Sequence, residues 1–197
     1  MSRANTAEAR STWGEEERRG LKPPEELTVT EWSEKYVVLK RPVAEEEGPF
    51  RIVRTPYLAP IMNQVLDEDT ETIVFCKSAQ IAGTQGMINI IGFFATQESC
   101  SILLVLADQD TAEFMNTRRI QDMFKSSLHL EQYVMPEFFN KGEITLANGS
   151  YVFVAWASSV AKLASRPMRI VIFDEVDKPG YYVVTKEADP ITLGMQR

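Results

Sequence analysis

Two short segments of the sequence carry side chains suited to chemistry on phosphates. The first is KSAQIAGTQ, residues 77–85. Four of its residues are small: Ser78, Ala79, Ala82 and Gly83. Small residues let backbone N–H groups converge on anionic oxygens, and the helix predicted to follow directs its positive N-terminus at the same place. With the Lys77 ammonium group for phosphates and the Thr84 hydroxyl for Mg²⁺, the segment has the parts of a phosphate-binding loop.

The position of Lys77 differs from the usual phosphate-binding pattern, G-x-x-x-x-G-K-[ST]. Aligned on its final hydroxyl residue, the pattern has Lys77 at its first glycine, Ala82 at its second glycine and Gly83 at its lysine. A flexible lysine stem of about 6 Å can reach the same phosphates from either end of the loop, so Lys77 is a candidate substitute. A positive φ at Ala82 would cost about 1 to 2 kcal/mol unless Gly83 takes up the turn. The alternative is an ordinary small, polar turn between a strand and a helix.

The second segment is an acidic pair, Asp174 and Glu175, which follows the apolar run Ile170–Phe173. Neighbouring residues at a strand end point to opposite sides, so the two carboxylates can take different roles. Asp174 is a candidate to hold hydrated Mg²⁺, and Glu175 to orient and deprotonate an attacking water. Two solvated acids that end a strand are the alternative. Both segments occur in this order, about a hundred residues apart, and together they favour nucleotide chemistry.

Other residues have weaker chemical interpretations. Three basic residues precede the acidic pair and either contact phosphate or nucleic acid or belong to a solvated connector: Lys162, Arg166 and Arg169. A further basic set is predicted to form a solvated helix face: Arg118, Arg119 and Lys125. Tyr57 either stacks on a purine or packs in the core, and His129 has no carboxylate or cysteine nearby in sequence, which predicts a structural or exposed histidine. Cys76 and Cys100 border predicted buried strands and are interpreted as small hydrophobic residues.

Strands that alternate with helices from Thr72 onward predict an α/β fold with a mostly parallel sheet flanked by helices. Three apolar runs are predicted as buried strands: Thr72–Cys76, Ile102–Leu106 and Ile170–Phe173. Ligands bind beyond the carboxyl ends of such strands, where both candidate segments lie. Asn148–Gly149 predicts a hairpin, and residues 86–95 a helix. A further helix, capped by Asp110 or Thr111, is predicted with these core residues: Phe114, Met115, Ile120, Met123 and Phe124.

The N-terminal region differs in composition from the rest. Residues 1–26 are charged and poor in apolar side chains, which predicts a mobile arm. Residues 27–197 are predicted to form a single, partial domain. It begins with a short helix, capped by Thr28 or Thr30, whose apolar residues lie roughly on one face: Trp32, Tyr36, Val37 and Leu39.

Composition and charge exclude several classes of protein. The chain has 197 residues, 44% of them hydrophobic and 25% charged, which excludes wholesale disorder and a collagen-like chain. The formal charge is −7, so contact with a polyanion requires a local basic patch. Two cysteines without metal-ligand spacing fit a reducing cytoplasm. No apolar run approaches the roughly 20 residues of a membrane span, so we expect a cytosolic protein without a membrane partner.

Several segments, taken in order, resemble the ATPase region of the large terminase subunit of tailed bacteriophages, of the lambda-like type. They lie between about Leu27 and Pro179: EWSEKYVVL, RTPYLAPIMNQVL, KSAQIAGTQ, TAEFMNTRRIQDMF and KLASRPMRIVIFDEVDKP. That family has a deviant phosphate loop whose lysine stands at the start, as Lys77 does. The resemblance implies a P-loop NTPase-type fold and an ATP-driven motor that pumps double-stranded DNA into a capsid. It implies as partners the DNA, the small terminase subunit, the portal protein and further copies of the chain, in the cytoplasm of the bacterial host.

The resemblance also implies a role for each residue of the two segments. ATP phosphates would be held by Lys77, which also acts in catalysis, and by the loop up to Thr84. The other residues of that loop are Ser78, Ala79, Gln80, Ile81, Ala82 and Gly83. Thr84 and Asp174 would hold Mg²⁺, and Glu175 would be the catalytic carboxylate. Tyr57 would lie near the adenine.

The sequence departs from the family's pattern in the loop and in length. Ala82 stands where the family usually has glycine, and Gln80 stands where some members have an arginine able to stabilise transition-state charge. Only about twenty residues follow Val176, too few for the remaining strands of such an ATPase or for the nuclease domain of large terminases. We therefore expect a domain incomplete at its C-terminus: a fragment, a split gene product or a truncated prophage remnant.

Two other functions stay open at this point. A truncated, non-catalytic remnant could serve as a binding module for a packaging partner. A helicase-like ATPase would share the phosphate loop and the acidic motif, although the sequence contains no further helicase motifs.

Overall fold

A five-stranded mixed sheet organises the computed structural model, which describes Gly14 and residues 25–41, 47–159, 167–182 and 189–195. A separate two-stranded ladder precedes it, formed by β1 (Val38–Leu39) and β2 (Gly48–Pro49). The strands of the sheet are β3 (Ser101–Leu106), β4 (Val134–Phe139), β5 (Glu143–Leu146), β6 (Tyr151–Trp156) and β7 (Ile170–Phe173). Their order in space is β4-β5-β6-β3-β7. β3 pairs parallel with both β6 and β7, whereas β4, β5 and β6 pair antiparallel. The predicted α/β class is therefore present, with a mixed sheet.

Helices flank the sheet. They are α1 (Val29–Tyr36), α2 (Leu58–Gln64), α3 (Gly83–Gln97), α4 (Gln109–Phe114), α5 (Gln121–Phe124), α6 (Leu128–Glu131) and α7 (Pro190–Met195). A π-helical segment, Met115–Ile120, joins α4 to α5, and 3₁₀ turns occur at Ile52–Arg54 and Pro179–Tyr182. Among the helices described, none is both long and apolar enough to cross a membrane.

Local sequence signals explain where several elements begin and turn. Thr28 caps α1 with a capping box, in which its side chain accepts the Glu31 N–H and the Glu31 carboxylate accepts the Thr28 N–H. Between β5 and β6, Gly149 adopts a φ of 85°, which suits glycine and makes the predicted hairpin turn. These predictions are confirmed.

The apolar core has two parts, one on each face of the sheet, because side chains alternate along β3. Ile102, Leu104 and Leu106 face the larger cluster, which contains α1, α2 and α3 side chains. Leu103 and Val105 face the smaller cluster, which contains residues after β7. All of these β3 side chains are almost fully buried. The predicted central buried strand is therefore correct.

One strand prediction is wrong, and one edge strand of the sheet was not predicted. Thr72–Cys76 is not a strand: Val74 is 87% exposed, Cys76 is exposed, and the described residues include no partner strand on the outer edge of β7. Apolar, β-branched residues favour extended backbone, but a strand also needs a ladder partner and two faces to cover it. β4 was not predicted. It pairs with β5 and contains Pro136, which an edge strand tolerates because one side of it needs no ladder hydrogen bond.

The helix after β3 also differs from the prediction. Asp108, rather than Asp110 or Thr111, caps it by accepting the Thr111 N–H at 2.9 Å. Phe114 is 55% exposed instead of buried. The π-helical segment that follows has a wider turn, so a core stripe predicted with one helical period does not hold across it. The rest of the predicted stripe is buried: Met115, Ile120, Met123 and Phe124.

Candidate functional site

The backbone of residues 77–84, here called the Lys77–Thr84 turn, leads into α3 without a side-chain cap. Ala82 is the N-cap residue, with φ 57° and ψ 15°, and no side chain bonds to the first turn of the helix. The first N–H groups of a helix have no partner inside it, and they carry its positive partial charge. The turn therefore ends at an uncapped helix N-terminus, where an anion can bind.

Backbone strain in the turn falls on residues that carry a Cβ. Gln80 has φ 59° and Ala82 has φ 57°, both in the left-handed region. The cost is about 1 to 2 kcal/mol for each. The sequence left open whether Gly83 would take up the left-handed turn in place of Ala82. It does not, because Gly83 is already the first residue of α3. Strain of this kind concentrates at functional sites in proteins.

Gly83 has a different use, which is to make room for the lysine. A Cβ added at Gly83 would lie 2.6 Å from Lys77 Cδ, closer than real Cβ atoms approach. The stem of Lys77 therefore crosses directly over the start of α3. This contact places the lysine stem next to the uncapped helix N-terminus, whose first turn contains the half-buried Thr84.

The two segments selected from the sequence meet in the structure. Lys77 Nζ lies 3.3 Å from Asp174 Oδ1, and the Asp174 side chain is 8% exposed. This ion pair joins the Lys77–Thr84 turn to the carboxyl end of β7, across about a hundred residues of sequence. An ion pair with one nearly buried member is sensitive to loss of either partner, because an uncompensated buried charge is costly.

Asp174 is held in place by its backbone. Its N–H donates to the Val105 carbonyl oxygen at 3.1 Å, which extends the pairing of β7 with β3 by one residue. The single proton of the Tyr181 hydroxyl is shared between the carbonyl oxygens of Val105, at 2.7 Å, and Asp174, at 3.0 Å. Burial raises the pKa of Tyr181, so its phenol stays protonated and remains a donor. These hydrogen bonds thus connect the carboxyl ends of β3 and β7 next to the Asp174 carboxylate.

The segment after Asp174 packs closely on the sheet through a glycine. A Cβ added at Gly180 would lie 2.1 Å from the Ala107 carbonyl oxygen, so only glycine fits there. Neither Gly180 nor Tyr181 was selected from the sequence. The Pro179–Gly180 dipeptide, a strong turn signal that begins the 3₁₀ turn, could have located them.

Glu175 is in a different environment from Asp174. Its φ is 53°, and its N–H donates to Asp174 Oδ1 at 3.1 Å. Its side chain is 46% exposed, with Lys178 Nζ 3.9 Å from its carboxylate. One acid of the pair is therefore buried and paired with lysine, and the other is open to water.

Tyr57 also touches the Lys77–Thr84 turn. It is the N-cap residue of α2, 46% exposed, and its hydroxyl donates to the Ile81 carbonyl oxygen at 3.0 Å. This bond links α2 to the middle of the turn. Tyr57 is thus a neighbour of the turn, and its ring is not buried in the core.

The other candidates lie elsewhere. Arg169 stands before the amino end of β7, where it pairs with Glu98, so it is at the opposite edge of the sheet from Asp174. Lys162 and Arg166 lie outside the described residues, as does the predicted arm 1–26 apart from Gly14, Glu25 and Glu26. His129 stacks on Tyr36 with 3.7 Å between ring centroids, and burial lowers its pKa. His129 is therefore structural.

The geometry defines a class of protein: a mixed α/β sheet, compatible with an NTPase-like fold, whose carboxyl edge joins a lysine, an aspartate and a helix N-terminus. The chain belongs to the family described as the phage terminase large subunit gpA, ATPase domain, whose model matches residues 44–197. This match confirms the resemblance from residue 44 onward and extends it beyond Pro179, whereas residues 27–43 lie outside the match. A search of curated proteins gives no match.

Proposed function

We propose that this chain is the ATPase region of a phage packaging motor that binds and hydrolyses ATP to translocate double-stranded DNA into a capsid. Membership of the terminase ATPase family supports the motor function. The observation that carries the site is the 3.3 Å contact between Lys77 and Asp174, because it brings the two chemically suited segments together. The proposed partners are DNA, the small terminase subunit, the portal protein and further copies of the chain. We place this assembly in the cytoplasm of the bacterial host.

ATP fits the Lys77–Thr84 turn through its phosphates. The uncapped N-terminus of α3 provides N–H donors, and Lys77 adds a charge that can move from Asp174 to a phosphate. Tyr57, half-exposed and bonded to Ile81, offers a ring face beside the turn for the adenine. In the proposal, residues 77–84 and Tyr57 together bind the nucleotide.

Mg²⁺ fits the oxygen donors near the same place. Mg²⁺ bound together with a nucleotide is held by one or two protein oxygens and by phosphates, so a threonine hydroxyl and an aspartate carboxylate are suitable donors. Thr84 and Asp174 are the proposed ligands. When bound, Mg²⁺ neutralises charge on the phosphate oxygens.

Glu175 is the proposed catalytic base. Its carboxylate is half-exposed and therefore accessible to water, unlike that of Asp174. It accepts the proton as the water oxygen attacks the terminal phosphorus and the bond to the leaving diphosphate breaks. Lys77 supports the phosphate charge and donates no proton. The fixed backbone of Asp174 keeps the neighbouring carboxylates in position, with Tyr181 as the fastening side chain.

Calorimetric titration of the purified chain with a Mg²⁺-bound ATP analogue tests this proposal. We expect binding that is abolished in Lys77→Ala. Because that change leaves the nearly buried Asp174 without its partner, Lys77→Gln provides a second variant that keeps an N–H donor without the charge. Lys141→Gln is the matched control, since Lys141 is an exposed lysine paired with Glu113 in another part of the chain. No binding at millimolar nucleotide, or unchanged affinity in both Lys77 variants, would contradict the site.

A non-catalytic binding module is the second candidate. Ala82 and Gln80 favour it, since Ala82 stands where the family usually has glycine and Gln80 stands where some members have arginine. ATP binding without turnover, together with partner binding independent of nucleotide, would support this alternative. Steady-state hydrolysis that disappears in Glu175→Gln would exclude it.

A further inference from the structure

A cavity of about 240 Å³ lies between β1, the start of α3 and the π-helical segment with α5. Five of the residues that line it are cationic: Lys40, Arg41, Arg118, Arg119 and Lys125. We call these residues and the cavity the basic pocket. Sequence patterns predicted Arg118, Arg119 and Lys125 as a solvated helix face, which is wrong for Arg119 because that residue is half-buried.

The charge of the basic pocket is poorly balanced by the described residues. Asp122 is its single acidic lining residue, and none of the five cations forms an ion pair within the described part of the chain. The compensating contacts are weaker. Lys40 Nζ donates to the Lys125 carbonyl oxygen at 3.4 Å, the Arg41 backbone N–H donates to Glu47, and Lys125 Nζ lies 5.6 Å from the Phe139 ring centroid. On a chain with a formal charge of −7, such a local excess of positive charge indicates an anionic ligand.

Arg119 supplies a more specific observation. Its Nη2 donates to Gln85 Oε1 at 3.3 Å, whereas its Nε is buried and finds no hydrogen-bond acceptor among the described residues. A buried donor without a partner is energetically unfavourable, and burial also lowers the pKa of this guanidinium. An anionic oxygen beside Arg119 would offset both effects.

The lining residues of the basic pocket and their positions in the fold indicate which anion binds. Its lining residues, as far as the structure describes them, include no aromatic ring on which a base could stack. The cations come from two parts of the fold, β1 with the residues after it and the helical region before Ser126, so they can contact successive phosphates. Lysine and arginine side chains of this kind position a nucleic-acid backbone without reading its bases.

We propose that the basic pocket binds backbone phosphates of duplex DNA. The choice of DNA as the polyanion rests on the proposed packaging function. Gln85, which contacts Arg119, directly follows Thr84, so DNA held in the basic pocket lies beside the start of α3.

Fluorescence anisotropy with a labelled duplex and the full chain tests the proposal. Each lost phosphate contact should lower the salt slope by about 0.9 and the affinity at 0.1 M salt roughly eightfold. Arg118→Ala combined with Lys125→Ala should therefore weaken DNA binding about sixtyfold and lower the slope by about 2. Both side chains are exposed, so thermal melting should stay unchanged.

Two controls distinguish DNA binding in the basic pocket from a general charge effect and from nucleotide binding. Lys141→Ala removes the same type of charge outside the basic pocket, and it should weaken DNA binding much less than either pocket substitution. Titration with the ATP analogue should be unchanged in the pocket variants, whereas Lys77→Ala should lose nucleotide and keep DNA. Nucleotide loss in Lys77→Ala with DNA binding intact therefore tests the two proposals separately.

Four outcomes would overturn the inference. The wild-type chain does not bind duplex DNA, or the double variant binds it as the wild type does. Lys141→Ala weakens binding as much as a pocket substitution, which would indicate a net-charge effect. The pocket variants lose the ATP analogue in proportion to DNA, which would assign the basic pocket to the nucleotide.

Discussion

The two halves of the proposed site are built in opposite ways. The Lys77–Thr84 turn is strained, uncapped and largely outside the core, with Gln80 and Ala82 in the left-handed region. The acidic half stands on paired strands and is fastened by the buried Tyr181 hydroxyl and the close contact at Gly180. The comparison indicates that the carboxylate half is preorganised, whereas the phosphate half has the freedom to adjust around a ligand.

The largest effect should come from Gly180→Ala. The added Cβ would clash with the Ala107 carbonyl oxygen, so the free energy of unfolding should fall by about 3 kcal/mol, at the upper end of overpacking costs. Gly86→Ala, within α3, is the matched control, because its Cβ would meet the Leu58 and Met62 side chains of α2 at an ordinary 3.7 Å. Urea unfolding of both variants measures the difference. Equal free energies of unfolding for the two variants would show that the chain around Gly180 can move away from Ala107, so that the acidic half is not rigidly packed.

Tyr181→Phe should have the next largest effect. The substitution keeps the ring and removes the donor. The Val105 carbonyl oxygen keeps the Asp174 N–H, whereas the Asp174 carbonyl oxygen loses the phenol, at a cost of about 1 to 3 kcal/mol. If Tyr181 positions the acidic pair, the turnover number for ATP should fall more than nucleotide affinity does. Tyr182→Phe serves as a control, since Tyr182 is 69% exposed and its hydroxyl donates only to the Asp177 carbonyl among the described residues. A loss confined to stability would leave Tyr181 a structural residue.

The pH dependence of stability should reveal the same tyrosine. Burial raises the pKa of Tyr181 in the folded state, so the folded chain holds this proton more tightly than the unfolded chain. The stabilisation is complete below the unfolded pKa of about 10 and declines as pH rises above it, by up to about 1.4 kcal/mol per pH unit. We expect wild type to lose stability above that pH more steeply than Tyr181→Phe, as measured by thermal melting at several pH values. Parallel pH profiles would contradict the buried environment of Tyr181.

The smallest effect, and of opposite sign, should come from Ala82→Gly. Glycine removes the left-handed strain but adds backbone entropy to the unfolded chain, so the net gain should be about 0.5 to 1 kcal/mol. Ala79→Gly is the control. Ala79 has no positive φ, so glycine there should only destabilise. If the strain at Ala82 contributes to nucleotide binding, Ala82→Gly should also change the affinity for the ATP analogue. A gain in stability with unchanged affinity would show that the strain has no part in nucleotide binding.

Prediction from sequence succeeded where neighbours along the chain decide the outcome. The central strand, the hairpin and α3 follow from apolar runs and turn residues a few positions apart. Prediction failed for Thr72–Cys76 and β4, because pairing at a sheet edge depends on which strand arrives there. It also missed Tyr181, which follows the acidic pair in sequence and whose hydroxyl bonds to Val105 in β3.

By itself, the sequence determined the residue types of the site, the strands and helices beside them, and the family to which the chain belongs. Only the tertiary structure decided that Lys77 meets Asp174, that Ala82 carries the strain, and that cations before and after the sheet's first strand form one pocket. The physical reason is the separation in sequence over which each kind of interaction acts. Caps, turns and apolar periodicity act over a few residues, whereas ion pairs and close contacts depend on how distant segments are packed against the same sheet.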